Sequence, residues 1–450
     1  MAARDVRRKV TFPAARGLLR VLASLAITAL AALPGCGPGA EDAGRPPPLR
    51  VLLPPGERPF WEPLARTFEH ANPGIRVLLV EGPQPTDLRE NLYTASLLAR
   101  DPTFDLVYLD VTWTPKFAAA GWLLPLDDRL GTFGRARFLP EALDAGVYRD
   151  QLYRIPVRTD MGLLFYRRDW LDSAGIAPPT TFDELLRAAR AFHDPPARFG
   201  YVWQGRQYEG LVCNYLEVLH GFGGAWTDAR TGEVALDHAP AIAALRFLRS
   251  TLGAAGVSPR GVTTYQEEES RRLFADGRAA FLRNWTYVWR LLQREDSRVR
   301  GRVGVTLLPR DSAGRPAGTL GGWGLGISRY SRSPDLAFAF ILHATTIESQ
   351  RALCEPTGYA PSILAAYEDS TLLAANPFLA HFRTLHAGAV ARPALPRYAL
   401  ASDVLQRHLS AALAGLADPA DALRDAARET RMLLGDGSVG SAAGTGTRTR

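Results

Sequence analysis

The chain has 450 residues, with 53 lysine and arginine residues against 46 acidic ones and a formal net charge of +7 at pH 7. Residues 1–35 hold six basic side chains and one acidic side chain, so only about +2 remains for the other residues. No basic cluster is interleaved with aromatic residues, which excludes nucleic acid as a partner. Between the two ends, roughly 390 residues exceed one ordinary domain and predict two lobes.

The N-terminus has the pattern of a signal peptide. A basic segment precedes an apolar run, Val21–Leu33, that is shorter than the ~20 residues a membrane-spanning helix needs. Cys36 follows a small residue, as in the lipobox of bacterial lipoproteins, and this resemblance implies cleavage before Cys36 and a diacylglycerol on its thiol. We therefore predict a signal peptide over 1–35 and a lipid-anchor tether over 36–48, on the periplasmic or cell-surface side of a bacterial membrane. Residues 435–450 are mostly small and polar and predict a disordered tail.

The next segment alternates strand and helix patterns. Leu49–Leu53 and Asp105–Asp110 read as strands, the second of which ends at an acid. The intervening patterns predict helices, one of which runs from Thr86 to Ala99. We expect Leu88 and Leu92, with Ala95, to form the buried face of that helix. This βαβαβ pattern is typical of a mostly parallel sheet.

A second α/β set follows. A predicted hairpin around Arg149 and Asp150 leads into Pro156–Thr159, the first candidate crossing between the lobes. Thr181–Glu184 is a capping box in front of an apolar periodic helix. The polar, turn-rich segment Pro309–Gly318 is the second candidate crossing. A chain that leaves one lobe, builds another and returns creates a cleft that closes by hinge bending around a ligand.

The segment Leu320–Ser328 places glycines at alternate positions of a predicted strand around Trp323. Glycine weakens a strand unless something must approach the backbone closely. We interpret this strand as one wall of a cleft for a small molecule that lies against the indole. The alternative is a glycine-bulged core strand with a packed tryptophan.

Metal, cofactor and catalytic motifs are missing from the sequence. The eight histidines are scattered without metal-ligand spacing, and there is no HExxH, P-loop or GxSxG. We therefore predict no metal, no cofactor and no catalytic residue. Cys213 and Cys354 could form a disulfide in an oxidising compartment or remain two buried thiols, and the sequence leaves both open.

Several long motifs resemble the family 1 extracellular solute-binding proteins of ABC sugar importers, most closely the trehalose/maltose-binding branch. They are Phe104–Asp128, Pro156–Tyr166, Tyr208–Glu217, Asn284–Trp289, Leu320–Ser328 and Pro377–Tyr398. The resemblance implies a type II periplasmic-binding-protein fold, with two α/β lobes, a hinge and a ligand cleft between them. It also implies a monomer that binds a small sugar without catalysis and delivers it to the transmembrane subunits of an ABC permease. The predicted lobe I is 49–156 with 315–374, and lobe II is 157–314 with 375–434.

The resemblance also implies which residues bind the ligand. Asp110 and Asp160 would accept hydrogen bonds from sugar hydroxyls from opposite lobes, and Trp285 and Trp323 would stack on pyranose rings. Further candidates lie in the same motifs, in the first loop, in the Thr-Asp-x-Arg stretch that ends at Arg89, or at Trp226. They are Glu57, Arg89, Tyr208, Glu209, Trp226, Tyr287 and Gly322. The chemistry fits independently, because charged groups make strong hydrogen bonds to hydroxyls and flat aromatic rings cover the apolar ring faces of a sugar.

Three other functions remain open from the sequence. Paired carboxylates and tryptophans also occur in glycoside hydrolases, although carboxylates on two moving lobes hold catalytic geometry poorly. The chain could instead bind a non-sugar solute such as a metal, a polyamine or a peptide. It could also serve as the sensor lobe of a membrane receptor.

Overall fold

The computed structural model describes residues 47–83, 86–228 and 231–435. The predicted signal peptide, Cys36, nearly all of the tether and nearly all of the C-terminal tail lie outside the described residues. None of the helices in the described part of the chain is long and apolar enough to cross a membrane.

Most strands belong to one mixed sheet with the order β2-β1-β3-β10-β6-β8-β7, while β9 and β11 pair with β6, and β12 pairs with β10. The strands are β1 Leu49–Leu53, β2 Val77–Glu81, β3 Leu106–Asp110, β4 Val147–Tyr148, β5 Gln151–Leu152, β6 Ile155–Arg167, β7 Phe199–Val202, β8 Ala279–Trp285, β9 Val303–Thr306, β10 Gly318–Ile327, β11 Ala360–Pro361 and β12 Ala389–Val390.

Helices lie between most of these strands along the chain. They are α1 Arg58–Ala71, α2 Thr86–Leu98, α3 Thr114–Ala119, α4 Asp127–Arg135, α5 Pro140–Asp144, α6 Arg168–Ala174, α7 Phe182–Ala191, α8 Glu209–Gly221, α9 Ala239–Ser250, α10 Glu267–Ala275, α11 Val288–Leu292, α12 Pro334–Ala344, α13 Ile347–Thr357, α14 Ser370–Ala375, α15 Leu379–His386, α16 Tyr398–Leu413 and α17 Pro419–Leu434. Two 3₁₀ turns, Arg260–Thr264 and Leu364–Tyr367, complete the described elements.

Two α/β regions share the sheet. In the first, β1 pairs in parallel with β2 and β3, which confirms the predicted parallel βαβαβ unit. In the second, β7 pairs in parallel with β8, and β6 runs antiparallel to both β8 and β9. The central strand β10 is antiparallel to β3 and to β6, so the sheet is mixed where the two regions meet.

Two long strands carry the chain between the regions. The predicted crossing Pro156–Thr159 and the strand that follows it form one 13-residue strand, β6, which begins beside β10 and ends beside β8. The predicted second crossing, Pro309–Gly318, is displaced. Its backbone packs on the second region, where the Asp311 N–H donates to the Gly221 carbonyl at 2.8 Å. The chain crosses a few residues later, in β10, because only extended backbone can pair with β3 and β6 together.

The helix α2 corrects a predicted buried face. Leu88 and Leu92 are both 46% exposed, and Ala95 also faces solvent. Tyr93 on the opposite face is buried, and its hydroxyl donates to the Leu52 carbonyl at 3.0 Å and accepts from the Leu52 N–H at 3.1 Å. The helix turns this face inward because Tyr93 reaches the backbone of β1, and Leu97 follows it into the core.

Local signals in the sequence are confirmed by their geometry. Thr181 accepts from the N–H of Glu184 at 3.2 Å, and the Glu184 carboxylate accepts from the N–H of Thr181 at 3.1 Å, so the capping box is complete. Arg149 and Asp150 both adopt positive φ between β4 and β5. That conformation matches the twist of a two-residue hairpin.

Candidate ligand-binding site

The register of β3, β10 and β6 gathers four of the relevant side chains on one face of the sheet. Trp323 on β10 pairs with Asp110 on β3 and with Arg158 on β6, and Gly321 pairs with Asp160. Directly opposed residues, and residues two apart on one strand, point to the same side of a sheet. Asp110, Trp323, Arg158 and Asp160 therefore share a face. The Trp285 ring packs over Gly321 on this face, because a Cβ atom at Gly321 would lie 3.1 Å from it.

The same face continues into the second region. Trp285, the last residue of β8, pairs with Gly162, two residues beyond Asp160 on β6. A Cβ atom at Gly162 would lie 1.7 Å from Oε1 of Glu217 and 2.3 Å from Nη2 of Arg283. Glycine is required here because the fully buried ion pair of Glu217 and Arg283 fills the space beside Trp285.

Asp110 ends β3 and is joined to the second region by Arg392. Its Oδ1 atom accepts from the backbone N–H of Thr112 at 3.0 Å and from the Thr112 hydroxyl at 2.9 Å. Arg392 lies 3.5 Å from Asp110 through Nη2 and 2.8 Å from the Glu209 carboxylate through Nη1. Arg392 was not among the predicted site residues, although it lies inside the resembling segment Pro377–Tyr398.

Glu209, the first residue of α8, has several donors around its carboxylate. The Tyr398 hydroxyl donates to Oε1 at 2.5 Å, the Ser402 hydroxyl donates to Oε2, and Arg392 contributes its guanidinium. Burial and the neighbouring Glu209 carboxylate raise the pKa of Tyr398 well above its ordinary value. The Glu209 carboxylate is thus held by α16 and by the segment in front of it.

Asp160 is anchored by backbone donors. Its Oδ1 atom accepts from the N–H of Met161 at 2.9 Å and from the N–H of Thr286 at 2.8 Å. Burial raises the pKa of Asp160, and the hydrogen bonds from Thr286 lower it by a smaller amount. The two bonds fix the carboxylate next to the turn that follows Trp285.

Trp323 is half-buried within a group of rings. The ring centroids of Tyr108 and Trp113 lie 5.0 and 5.5 Å from the centroid of Trp323. The Arg89 guanidinium lies 5.1 Å from the Trp323 ring centroid, while its Nη1 donates to the Pro83 carbonyl at 2.8 Å. Burial lowers the pKa of Arg89, and the nearby Glu57 carboxylate opposes that effect. Arg89 and Trp323, both predicted site residues, are therefore in contact.

Glu57 belongs to a buried network in the first region. Its Oε1 accepts from Arg158 at 2.8 Å and from the Tyr359 hydroxyl at 3.1 Å, and its Oε2 accepts from the Trp61 indole at 3.3 Å. The Arg158 guanidinium also covers the Tyr359 ring, 3.6 Å from its centroid. Neither Arg158 nor Tyr359 was predicted as a site residue, although Arg158 lies in the resembling segment Pro156–Tyr166, because their partners lie far away along the chain.

The remaining aromatic candidates of the second region surround Glu267. The indole N–H of Trp285 donates to Oε1 of Glu267 at 3.2 Å. Burial, followed by the charge of Glu267, raises the pKa of both Tyr208 and Tyr287 well above the ordinary value. Glu267 was also not among the site residues predicted from the sequence.

Gly322 lies on β10 next to Trp323 and adopts a φ of +124°. A Cβ atom there would approach the carbonyl oxygen of Arg158 to 2.7 Å. The close passage of β10 over β6 therefore depends on this glycine.

Trp226 lies apart from the other candidates. It is 1% exposed, and its ring centroid is 5.7 Å from that of Tyr398 in the core of the second region. It borders a cavity of about 550 Å³ that His220 and Arg315 also line. The structure thus places Trp226 in the core next to Tyr398, whose hydroxyl donates to Glu209, and not on the strands of the shared face.

The two described cysteines form no disulfide with each other. Cys213 and Cys354 are both buried and free. Burial raises the pKa of Cys354 to about 12 and that of Cys213 still further. Within the ranges the structure describes, no group of three histidine, cysteine or acidic side chains could hold a metal ion.

Acids, arginines and indoles thus share one face at the junction of the two α/β regions. The model of the bacterial extracellular solute-binding protein family matches residues 54–351. The chain belongs to this family, which confirms the predicted resemblance and its extracellular class.

Individual relatives agree with this membership. A probable ABC transporter-binding protein of Deinococcus radiodurans is 32% identical over 373 residues, 81% of this chain and 88% of the relative. The mannitol-binding protein of Pseudomonas aeruginosa is 26% identical over 323 residues, covering 70% of this chain and 73% of that protein.

Solved structures show the same fold. The maltose-bound MalE3 of T. maritima is 34% identical with a TM-score of 0.78, and the match covers 86% of this chain and 100% of that one. An ABC transporter solute-binding protein of Thermotoga lettingae bound to α-D-tagatose is 27% identical with a TM-score of 0.76, covering 87% of this chain and all of that one. The two-lobed periplasmic-binding-protein fold is thereby confirmed.

Proposed function

We propose that this protein captures a small sugar by closing its two lobes and delivers it to the membrane subunits of an ABC permease. The observation that carries the proposal is the single face on which Asp110, Asp160, Trp285 and Trp323 meet. A sugar presents many hydroxyls and two fairly apolar ring faces, and this face offers carboxylates next to indoles. Relatives bound to maltose and tagatose support the same ligand class.

The contacts suggest how each group acts. Oδ2 of Asp160, which takes neither of the two backbone bonds, is the atom placed to accept a sugar hydroxyl. Asp110 and Arg392 form a pair that a hydroxyl can bridge, because their separation of 3.5 Å is long for a charge-assisted bond. Trp323 and Trp285 supply the two stacking surfaces, one from each side of Asp160.

We propose a disaccharide such as maltose or trehalose as the ligand. Two indoles on one face suit two consecutive sugar rings, and the T. maritima relative holds maltose. A sugar alcohol is the competing ligand, since a relative in P. aeruginosa binds mannitol. We propose binding without turnover, because the relatives are solute-binding proteins and the carboxylates stand on strands that belong to a hinged pair of lobes.

A thermal-shift screen tests this function. We expect maltose or trehalose to stabilise the protein by about 2.7 kcal/mol at a hundredfold excess over the dissociation constant, because a ligand that binds only the folded state adds its binding free energy to stability. Mannitol, tagatose and ribitol serve as the comparison set. Asp160→Asn should reduce the shift, whereas the surface variant Asp172→Asn should not.

Two results would contradict the proposal. One is a shift with none of these sugars or sugar alcohols. The other is steady release of glucose from maltose that Asp160→Asn abolishes, which would favour the hydrolase alternative.

We further propose that Cys36 carries a lipid anchor and that the mature protein is a monomer. Its lobe boundaries are those predicted from the sequence, except that the chain returns to lobe I within β10. The support is the basic and apolar N-terminal pattern in front of Cys36. Palmitate labelling in a bacterial host should appear in the wild type and disappear in Cys36→Ala. Labelling that persists in Cys36→Ala would contradict the anchor.

A further inference from the structure

Three predicted ligand-binding aromatic residues surround one carboxylate that no sequence motif indicated. Tyr208 precedes α8, Trp285 ends β8 and Tyr287 precedes α11, and all three lie near Glu267, the first residue of α10. These aromatic residues come from separate elements. Glu267 bonds to one of them, Trp285, and its charge acts on the other two.

The indole of Trp285 is fixed in two ways. Its N–H donates to Oε1 of Glu267 at 3.2 Å, which sets the rotation of the ring. The guanidinium of Arg283 lies 4.4 Å from the ring centroid, and Arg283 is itself paired with the fully buried Glu217. One face of the indole is thus covered by a cation, and the plane of the ring is set by Glu267.

Glu267 is itself held in place by its backbone. Its carbonyl oxygen accepts from Nδ2 of Asn284 at 3.0 Å and from the Ser270 hydroxyl at 3.0 Å. Asn284 directly precedes Trp285 on β8. The carboxylate and the indole are therefore tied through neighbouring backbone, so their geometry is set before any ligand arrives.

Tyr208 adds a donor to the same place. Its hydroxyl is buried beside the Glu267 carboxylate. Burial raises its pKa well above the ordinary value, and the nearby charge of Glu267 raises it further. Tyr208 therefore stays protonated beside the carboxylate.

We propose that Glu267 is a positioning residue for sugar binding: it holds the Trp285 indole at the angle at which the ring stacks on a sugar. This inference rests on the proposed sugar-binding function. Glu267 acts through Trp285, so its contribution depends on the indole N–H.

The test measures maltose affinity and the indole signals of the full chain. We expect Glu267→Ala to weaken maltose binding about tenfold, the effect of losing one hydrogen bond to a charged group. Glu267→Gln keeps an acceptor oxygen and should stay within about threefold of wild type. In a Trp285→Phe background, which lacks the indole N–H, adding Glu267→Ala should change affinity less than about twofold.

A matched control comes from the next residue. Glu268 lies on the same helix turn but pairs with Arg271 at 2.7 Å, so Glu268→Ala should leave maltose affinity unchanged. In the ¹H–¹⁵N spectrum, the Trp285 indole peak is the one lost in Trp285→Phe. It should move in Glu267→Ala and stay in Glu268→Ala, with or without sugar.

The outcomes separate the two proposals. An unmoved Trp285 indole peak in Glu267→Ala, or a full tenfold loss that persists in the Trp285→Phe background, would overturn the role of Glu267. Wild type that binds no sugar contradicts the proposed function instead, and the indole peak still decides whether Glu267 holds Trp285.

Discussion

Replacing Glu217 by alanine is expected to destabilise the fold by about 3–5 kcal/mol, the typical cost of leaving one member of a buried ion pair without its partner. Glu217 and Arg283 are both completely buried, and Oε2 of Glu217 accepts from Nε of Arg283 at 2.7 Å. Oε1 also accepts from the N–H of Thr319 at the start of β10 at 3.0 Å. The variant would leave a buried guanidinium and an unpaired backbone donor. Urea unfolding followed by circular dichroism measures the loss.

An exposed pair provides the control for this result. Glu62 and Arg66 are one helical turn apart on α1, 2.9 Å from each other, and largely exposed. Exposed pairs of this kind contribute little, so Glu62→Ala should leave the unfolding midpoint nearly unchanged. A loss below about 1 kcal/mol for Glu217→Ala would show that the buried pair is not a structural requirement.

Trp323→Ala is expected to weaken sugar binding by at least about 2 kcal/mol, or roughly thirtyfold, because buried aromatic side chains at the centre of a binding site dominate its energy. Trp323 lies on the shared face and pairs with Asp110 on β3. Gly321, two positions before Trp323 on β10, pairs with Asp160. Isothermal titration with the sugar that gives the largest thermal shift measures the change. Trp323→Phe keeps a ring and should recover part of the affinity.

Trp170 is the matched tryptophan for this prediction. It lies on α6 against Phe192, outside the shared face, so Trp170→Ala should lower stability without weakening sugar binding. If the Trp323→Ala variant unfolds cooperatively and binds sugar with wild-type affinity, Trp323 is not part of the binding site.

The sequence predicted most elements whose signal is local. The capping box of Thr181 and Glu184, the hairpin at Arg149 and Asp150, and the parallel unit built on β1 depend on residues a few positions apart. Such signals survive in any tertiary context. The positions of Asp110 at the end of β3 and of Trp323 in β10 were also predictable, and their roles in binding stay predictions.

What the sequence could not supply are contacts between distant residues. Glu57 and Arg158 are 101 positions apart, and Arg392 meets Asp110 across 282 positions. The exposed face of α2 was predicted wrongly for the same reason, since only the backbone of β1 determines that Tyr93 points inward. A helical apolar stripe gives the period of a helix but not the partner that decides which stripe is buried.

The pairing of β6 with β10 restricts how the two lobes can move. The register is continuous from the pair of Leu320 with Met161 to the pair of Trp323 with Arg158. These long strands therefore form an uninterrupted ladder at the junction. Bending a two-stranded ladder within its plane stretches its hydrogen bonds, whereas coiling the ribbon about its long axis leaves them intact. Torsion of this ribbon is therefore the soft coordinate at the junction. Asp160 and Trp323 lie on these two strands and would rotate with them. The backbone that carries the two binding groups is therefore also the backbone that deforms when the lobes move.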